Sequence, residues 1–343
     1  MKLSIVILNW NGSRMLRDYL PAVLSHSGGM SGVEVVVADN ASTDDSVEML
    51  RRDFPAVRIL RLDRNYGFAE GYNRALKAIE ASYYLLLNSD VETTAGWLPP
   101  LLDYMDAHPE VAACQPKVRS LVCRTRFEFA GAAGGWLDAY GYPFCRGRIM
   151  SVVEEDCGQY DTVSQVFWAT GAALLVRADD YWAAGGLDAR FFAHMEEIDL
   201  CWRLNARGRK VVCIPQSVVY HLGGGTLNKS NSRKTYLNFR NNLLMLYKNL
   251  PAERLAGVLR IRCVLDYVAA LSFLLQGHVG DVRAVFRARR DFRRMRTDYR
   301  ADREHNLSLT KCTEVPGYYP KSILVAYYLK KMRTFGKLFV PRS

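Results

Sequence analysis

Tyr83-Tyr84-Leu85-Leu86-Leu87-Asn88-Ser89-Asp90-Val91 is a run of large apolar residues that stops abruptly at Asn-Ser-Asp. Such a run, bounded by polar residues, reads as a parallel strand covered on both faces, because burial on both sides removes the alternation of a half-exposed strand. Ligands of open α/β sheets gather at the carboxyl ends of strands. Asp90 therefore has two readings. It holds a divalent cation against phosphate oxygens, or it caps the turn that follows.

Working outward, the same pattern recurs upstream. Leu3–Leu8 reads as a first buried strand, leaving through Asn9-Trp10-Asn11-Gly12 into a helix over Arg14–Leu24 with Ser13 as its N-cap. Val33–Ala38 is a second strand, closing in Asp39-Asn40-Ala41-Ser42-Thr43-Asp44, and a helix follows over Ser46–Phe54. Val57–Leu62 is a third strand. Asn65-Tyr66-Gly67-Phe68 then leads into a helix through Ile79, ahead of the strand at Tyr83–Leu87. Alternating strands and helices of this kind build a doubly wound, mostly parallel sheet flanked by helices. A dinucleotide-binding fold would need G-x-G-x-x-G after its first strand, where this chain has Asn-Trp-Asn-Gly-Ser-Arg. A nucleotide must then be held by a metal or by side chains such as Asp39 and Asn65. Asp39, at a strand end, can accept hydrogen bonds from a base or ribose. Its plainer role is to start an Asx-turn.

Downstream, residues 115–165 read as irregular loops, with Phe127–Tyr142 rich in glycine and aromatics, either shaping a pocket or closing the sheet edge. Trp168–Val176 is another buried strand, entered through Gly171. Glu196, Glu197 and Asp199 then crowd the first turn of a helix whose neighbours are Phe, Met, Ile and Trp. A helix N-terminus favours acids by about 0.3–1 kcal/mol each. Three acids among apolar residues go beyond that, since desolvation raises a carboxyl pKa and prepares a general base. Val211–Ile214 and Val218–Tyr220 read as strands leading to His221. That histidine is either a satisfied core residue or a ligand beside the close approach that Gly223, Gly224 and Gly225 allow.

The chain has 343 residues and a net charge of +11, but the charge is unevenly spread. Residues 1–230 carry 23 Lys and Arg against 27 Asp and Glu, a net of −4, whereas residues 231–343 carry 23 against 8, a net of +15. This divides the chain into a body over 1–230, with halves at about 1–115 and 116–230, and a helical, basic C-terminal region over 231–343. Tyr236–Leu250 and Leu255–Leu275 read as apolar helices, the second interrupted by Arg260, Arg262 and Asp266. Within 283–303, Val285, Phe286, Phe292, Met295 and Tyr299 recur at helical spacing among nine arginines, which predicts a basic amphipathic helix lying on an anionic membrane surface. No nucleic-acid-binding module is recognisable, so nucleic acid is not an expected partner. The eight cysteines include no C-x-x-C pair and read as reduced cytoplasmic thiols. Leu3–Leu8 is too short for a signal peptide, and no uninterrupted apolar stretch of about 20 residues predicts a spanning helix. The expected location is the cytoplasmic side of a membrane.

Taken in order, Asn9-Trp10-Asn11, Asp39 to Asp44, Asn65-Tyr66-Gly67-Phe68 with Asn73, Asn88-Ser89-Asp90, Gly171, Glu196-Glu197 and His221 resemble glycosyltransferase family 2 over roughly residues 2–230. The resemblance implies a GT-A fold and an inverting, metal-dependent transferase of the rhamnosyltransferase-like branch. It implies that a nucleoside-diphosphate sugar, with dTDP-rhamnose as one candidate, binds across Asn9, Asn11, Asp39, Asn65, Asn88 and Asp90. It places Mg²⁺ or Mn²⁺ on Asp90 with His221. The family's metal motif is Asp-x-Asp, whose first position is here Asn88 and whose metal-contacting last position is Asp90. Glu197 is implied as the base that deprotonates the acceptor hydroxyl, with Glu196 and Asp199 as alternatives, because the family commonly has Asp at the second position of this pair. The implied acceptor is a saccharide or lipid-linked saccharide of surface polysaccharide. A sugar nucleotidyltransferase would need a glycine-rich basic turn after the first strand. A non-catalytic polysaccharide- or membrane-binding protein would have no use for Asp90 together with Glu196 and Glu197.

Overall fold

In the computed structural model, which describes residues 1–223 and 232–339, strand and helix alternate through the first half. The elements are Leu3–Asn9 (β1), Ser13–Ser27 (α1), Val33–Asp39 (β2), Ser46–Asp53 (α2), Arg58–Arg61 (β3), Gly67–Lys77 (α3) and Tyr83–Leu87 (β4). All five residues of β4 are buried, as its unbroken apolar run requires. β1 lies parallel to both β2 and β4, and Asn9 stands in register with Asp39. The chain winds outward from β1 to β3 and returns to β4 on the far side of β1. The switch point therefore falls between β1 and β4, where Asn9 and Asn88 end their strands.

Val91–Thr93 (β5), Leu98–Ala107 (α4) and Val111–Ser120 (β6) follow. A small second sheet then forms from Gly135–Asp138 (β7), Pro143–Cys145 (β8), Arg148–Ile149 (β9) and Val152–Val153 (β10). The segment expected to be irregular is thus partly a sheet. Its strands are too short to show a period, and Gly135 is required where a Cβ would run into the Trp168 indole, 2.0 Å away. Ser164–Gln165 (β11), Ala173–Arg177 (β12), Ala178–Ala183 (α5), Glu196–Ala206 (α6) and Lys210–His221 (β13) complete the body. The nine-stranded main sheet runs β11-β13-β6-β12-β4-β1-β2-β3, with β5 beside β13. β12 enters antiparallel between β4 and β6, so that Ala173 opposes Leu87. The start of β12 consequently sits at the functional end of β4. The two strands expected before His221 are one, with a register shift between Ile214 and Val218. Ser13 is not an N-cap. It is the first helical residue, and its N–H donates to the Asp44 carboxylate at 3.0 Å.

The basic region contains Ser232–Asn249 (α7), Ala252–Leu275 (α8), Val279–Met295 (α9), Arg300–Ser308 (α10) and Tyr318–Tyr319 (β14), the last pairing with β7. Here one expectation is corrected. Val285, Phe292 and Tyr299, the face assigned to a membrane, are buried, and Phe292 meets the Tyr247 ring of α7 at 6.4 Å. One apolar cluster runs from Val6 and Leu86 of the sheet through Leu200 of α6 to Leu243 of α7 and Phe292 of α9. Helical spacing shows that a face exists but not what covers it. Of the glycines after His221, Gly224 and Gly225 lie outside the described residues.

Candidate active site

Asn9, Asn11, Asp39 and Asn65 form a network of turns at the ends of β1 and β2. Asp39 is fully buried. Its Oδ1 accepts from Asn9 Nδ2 at 3.3 Å and its Oδ2 from Ser42 N–H at 3.1 Å, the second bond closing the turn that follows β2. Asn11 Oδ1 accepts from the N–H groups of Thr43 and Asp44 at 2.7 and 3.3 Å, which ties the exit of β1 to the exit of β2. Buried Asn40 donates to Asn65 Oδ1 at 3.1 Å and to the Gly67 carbonyl at 3.0 Å, and so draws in the turn before α3. Asn9 Oδ1 is buried without a hydrogen-bond partner among the described residues. A Cβ at Gly12 would stand 2.4 Å from that oxygen and 3.7 Å from Ser89 Oγ. The β1 and β4 exits therefore meet at a point only glycine allows.

Asp90 and His221 come together from β4's exit and the end of β13. Asp90 Oδ1 lies 3.1 Å from His221 Nε2, and Asn88 Nδ2 lies 3.5 Å from the same nitrogen. On the ring's other side, buried Glu128 stands 3.5 Å from Nδ1. Burial opposes charge on the imidazole, but hydrogen bonding and attraction from Asp90 and Glu128 push it up to about 10. Among the described residues no group of three or more His, Cys, Asp or Glu is arranged to hold a metal by itself. One carboxylate and one imidazole do converge. With a ligand's phosphate oxygens, the carboxylate could complete a divalent ion, and the imidazole could join it only by giving up the proton that Asp90 and Glu128 hold on it. Glu128 then takes the place of the outer carboxylate that commonly orients a ligating histidine.

The acids of α6 separate into two roles. Asp199 is fully buried, accepting from Lys248 Nζ at 2.8 Å, Arg203 Nε at 3.0 Å and Asn249 Nδ2 at 2.8 Å. Two cations and an amide occupy its oxygens, so it anchors α7 to α6 and is not placed to take a substrate proton. Glu196 and Glu197 each keep a buried Oε2 without a hydrogen-bond partner among the described residues. Burial pushes Glu197 up to about 7. Burial and then the neighbouring Glu197 charge push Glu196 well above the usual carboxylate range. The loop ahead of them is strained, with Phe192, His194 and Met195 at φ of 67°, 71° and 74°. Asn241 of α7 holds that loop by donating to the carbonyls of Phe191, Ala193 and His194 at 3.0, 2.9 and 2.8 Å.

The two clusters face each other across the start of β12. Asn88 N–H donates to the Ala172 carbonyl at 3.0 Å. A Cβ on adjacent Gly171 would lie 3.4 Å from the Phe68 ring and 3.8 Å from Glu197 Cβ. The Phe192 carbonyl accepts from Phe68 N–H at 2.6 Å, fastening the acidic loop to the turn at Asn65–Phe68. The Asp90–His221 pair and the Glu196–Glu197 pair thus share one rim of the sheet.

The sequence model of the family described as "Glycosyl transferase family 2" matches residues 4–151. Over that span, less than half of its length, the chain is similar to the family. The "N-acetylglucosaminyl-diphospho-decaprenol L-rhamnosyltransferase" of Mycobacterium tuberculosis is 27% identical over 203 residues, covering 55% of this chain and 66% of that protein. The chain so spans just under two thirds of that relative's length. The "O-antigen biosynthesis protein RfbC" of Myxococcus xanthus is 25% identical over 228 residues, covering 64% of this chain and 17% of that one. Among solved structures, S. aureus TarS 1–349 in complex with UDP-GlcNAc aligns with a TM-score of 0.55 at 14% identity, covering 89% of each chain. GalNAc-T7 with UDP, GalNAc and Mn²⁺ aligns with a TM-score of 0.56 at 15% identity, covering 72% of this chain and 48% of that one. These likenesses show the GT-A fold.

The structure brings together Asn9, Asn11, Asp39 and Asn65 at one end of the rim. Asn88, Asp90 and His221 meet beside them, and Glu196 and Glu197 stand opposite. It sets Asp199 apart. Sequence reading missed Glu128 and Asn241, which lie in a segment without a period and in a helix assigned to the basic region. The raised Glu197 pKa has a consequence for stability. A carboxyl whose folded pKa lies above its ordinary value of 4.5 holds its proton more tightly when folded. Its stabilising contribution is complete below about 4.5 and is lost as pH rises through about 7. Glu197→Gln is accordingly expected to raise the melting temperature at pH 8 and leave it unchanged at pH 4. Equal shifts at both pH values, read by calorimetry, would contradict the burial of this carboxyl.

Proposed function

We propose that this chain is an inverting glycosyltransferase that moves a sugar from a nucleoside-diphosphate sugar to a saccharide hydroxyl, the acceptor carried on a lipid in the assembly of surface polysaccharide. One observation carries the reading. The Asp90–His221 pair and the Glu196–Glu197 pair are tied to one short segment at the start of β12: Asn88 N–H donates to the Ala172 carbonyl at 3.0 Å, and a Cβ on adjacent Gly171 would lie 3.8 Å from Glu197 Cβ. The nucleotide lies over the turns that Asn9, Asp39 and Asn65 hold together, with Asn88 facing the diphosphate. Asp90 and His221 would hold Mg²⁺ or Mn²⁺, which when bound supplies neutralisation of charge on the departing diphosphate. Glu197 accepts the proton of the acceptor hydroxyl as its oxygen attacks the anomeric carbon from the face opposite the leaving group. The phosphate end and the base end lie on different sides of the sugar, as inversion requires. The relatives' names favour a deoxysugar donor such as dTDP-rhamnose and an acceptor of the lipid-diphosphate class.

A melting screen of nucleoside diphosphates and their sugars, with and without Mn²⁺, tests this. A ligand at one hundred times its dissociation constant stabilises by about 2.7 kcal/mol. The expected result is a metal-dependent rise with at least one nucleoside-diphosphate sugar, followed by release of free sugar or transfer. A full screen without any metal-dependent rise would overturn the assignment.

A further inference from the structure

Helix α8 is built inside out. Ile261, Val264, Val268, Leu271 and Leu275, at i, i+3, i+7, i+10 and i+14, make one outward stripe, with Val264 64% exposed and Leu275 81% exposed. The opposite face carries Val258, Arg262, Asp266 and Ala270, all buried. Asp266, fully buried, accepts from Arg262 Nη2 at 3.1 Å and from Arg289 Nη1 of α9 at 2.5 Å. Arg262 also donates to the Tyr140 carbonyl at 3.0 Å and to Asn242 of α7. A buried ion pair of this sort adds little net stability but is costly to break, so it fixes which face turns inward. The apolar stripe is thereby held outward. No helix among the described residues is long and apolar enough to cross a membrane.

Charge beside the stripe selects its occupant. Exposed Phe286 of α9 packs on Tyr267 of α8 at 5.2 Å between ring centroids. The groove they form is bordered by Arg283, Arg287, Arg290 and Arg293. Between Arg254 and Gly280 the only acidic residue is Asp266, which is buried. An apolar ridge flanked by arginines, of which Arg287 and Arg290 share the half-buried Asp291, and with its exposed acid, Glu253, confined to the first turn of α8, complements a surface that is apolar inside and phosphate-bearing outside. A second copy of the chain is the poorer occupant, because a two-fold contact through this face would set one arginine row against the other.

We propose that the outer face of α8, with the bordering arginines of α9, docks the protein on an anionic bilayer, α8 lying in the headgroup plane with its stripe entering the acyl boundary. The surface differs from the α9 face read from sequence, and it stands whether or not the transferase reading does. Surface attraction corresponds to about a fivefold gain in partitioning for each arginine near an anionic leaflet.

The test is flotation of the full chain with vesicles of phosphatidylcholine alone or mixed with phosphatidylglycerol. Val268→Glu combined with Leu271→Glu alters only exposed positions, and circular dichroism melting checks the fold. Arg283→Ser, Arg290→Ser and Arg293→Ser together form a second variant. Wild type is expected to float with anionic vesicles and weakly with neutral ones. The glutamate variant is expected to lose both, and the arginine variant to lose roughly 100-fold on anionic vesicles alone. Flotation of the glutamate variant at the wild-type level, or no flotation of wild type, overturns the proposal. So does a wild-type dimer in sedimentation that does not float and that the glutamate variant dissolves, since the occupant is then a second copy. Nucleotide-dependent melting shifts should match wild type in both variants, which separates loss of docking from loss of the site.

Discussion

Asp90→Ala is expected to lower sugar transfer by roughly 10³-fold or more and to remove the metal-dependent part of nucleoside-diphosphate binding. Asp90 is the one carboxylate at the exit of β4, 3.1 Å from His221 Nε2. A divalent ion stabilises a phosphate leaving group by several kcal/mol, and each 1.36 kcal/mol is about tenfold in rate. Asp90 also has a structural side, since its carbonyl accepts from Leu222 N–H at 3.1 Å. That bond is made by the backbone and survives the substitution. Asp90→Asn separates the roles further, because the amide oxygen still faces His221 but carries no charge. If Asp90→Asn and Asp90→Ala both retain near-normal turnover, Asp90 serves the turn and not a cation. The decisive reading is the difference in melting temperature with nucleoside diphosphate between Mn²⁺ and a chelator. It should be large for wild type and absent for both variants.

Legibility from sequence followed the range of the forces involved. β4 could be read because burial on both faces of a parallel strand leaves an unbroken apolar run. β1 carries the same signature and β2 carries it in its second half, whereas the edge strand β3 is exposed at both ends, and the motif residues lie at or just after these strands. Asp90 and the acids of α6 were marked by position alone, at a strand end and at a helix start. What escaped depends on partners distant in sequence. Asp199 looked equivalent to Glu196 and Glu197 until Lys248 and Asn249, from α7, were seen to occupy its oxygens. Glu128 lies in a stretch of very short strands, where no period exists to place it beside His221. The basic region shows the same limit in reverse. α9 has the spacing of an interfacial helix and buries that face, whereas Arg262 and Asp266 made α8 look interrupted when they are its inward side. Spacing defines a face, and only the packed chain decides which face is covered.

Glu197→Gln is expected to lower turnover by at least about 10²-fold while leaving nucleotide-sugar binding intact, since general base catalysis is worth about 10²–10⁴. The glutamine keeps the shape of the side chain beside Gly171 and removes only the capacity to take a proton. Burial sets Glu197 up to about 7, so the carboxylate that accepts the acceptor's proton accumulates as pH rises through neutrality. Wild-type turnover should therefore climb to a plateau above about pH 7, and this limb should vanish in Glu197→Gln. Glu196 is held neutral to higher pH by burial and by the charge of its neighbour. While neutral it can donate a hydrogen bond but not accept a proton, so Glu196→Gln should cost less and should leave the pH of the limb where it is, because it removes no charge at that pH. Asp199→Asn acts elsewhere. It loosens the contact with Lys248 and Arg203, and its effect belongs in the melting temperature with the pH limb unchanged. A full loss at Glu196 with none at Glu197 would exchange their roles. Loss of donor binding in Glu197→Gln would make the pair an organiser of the site, because a base that acts only on the acceptor hydroxyl has no part in holding the nucleotide.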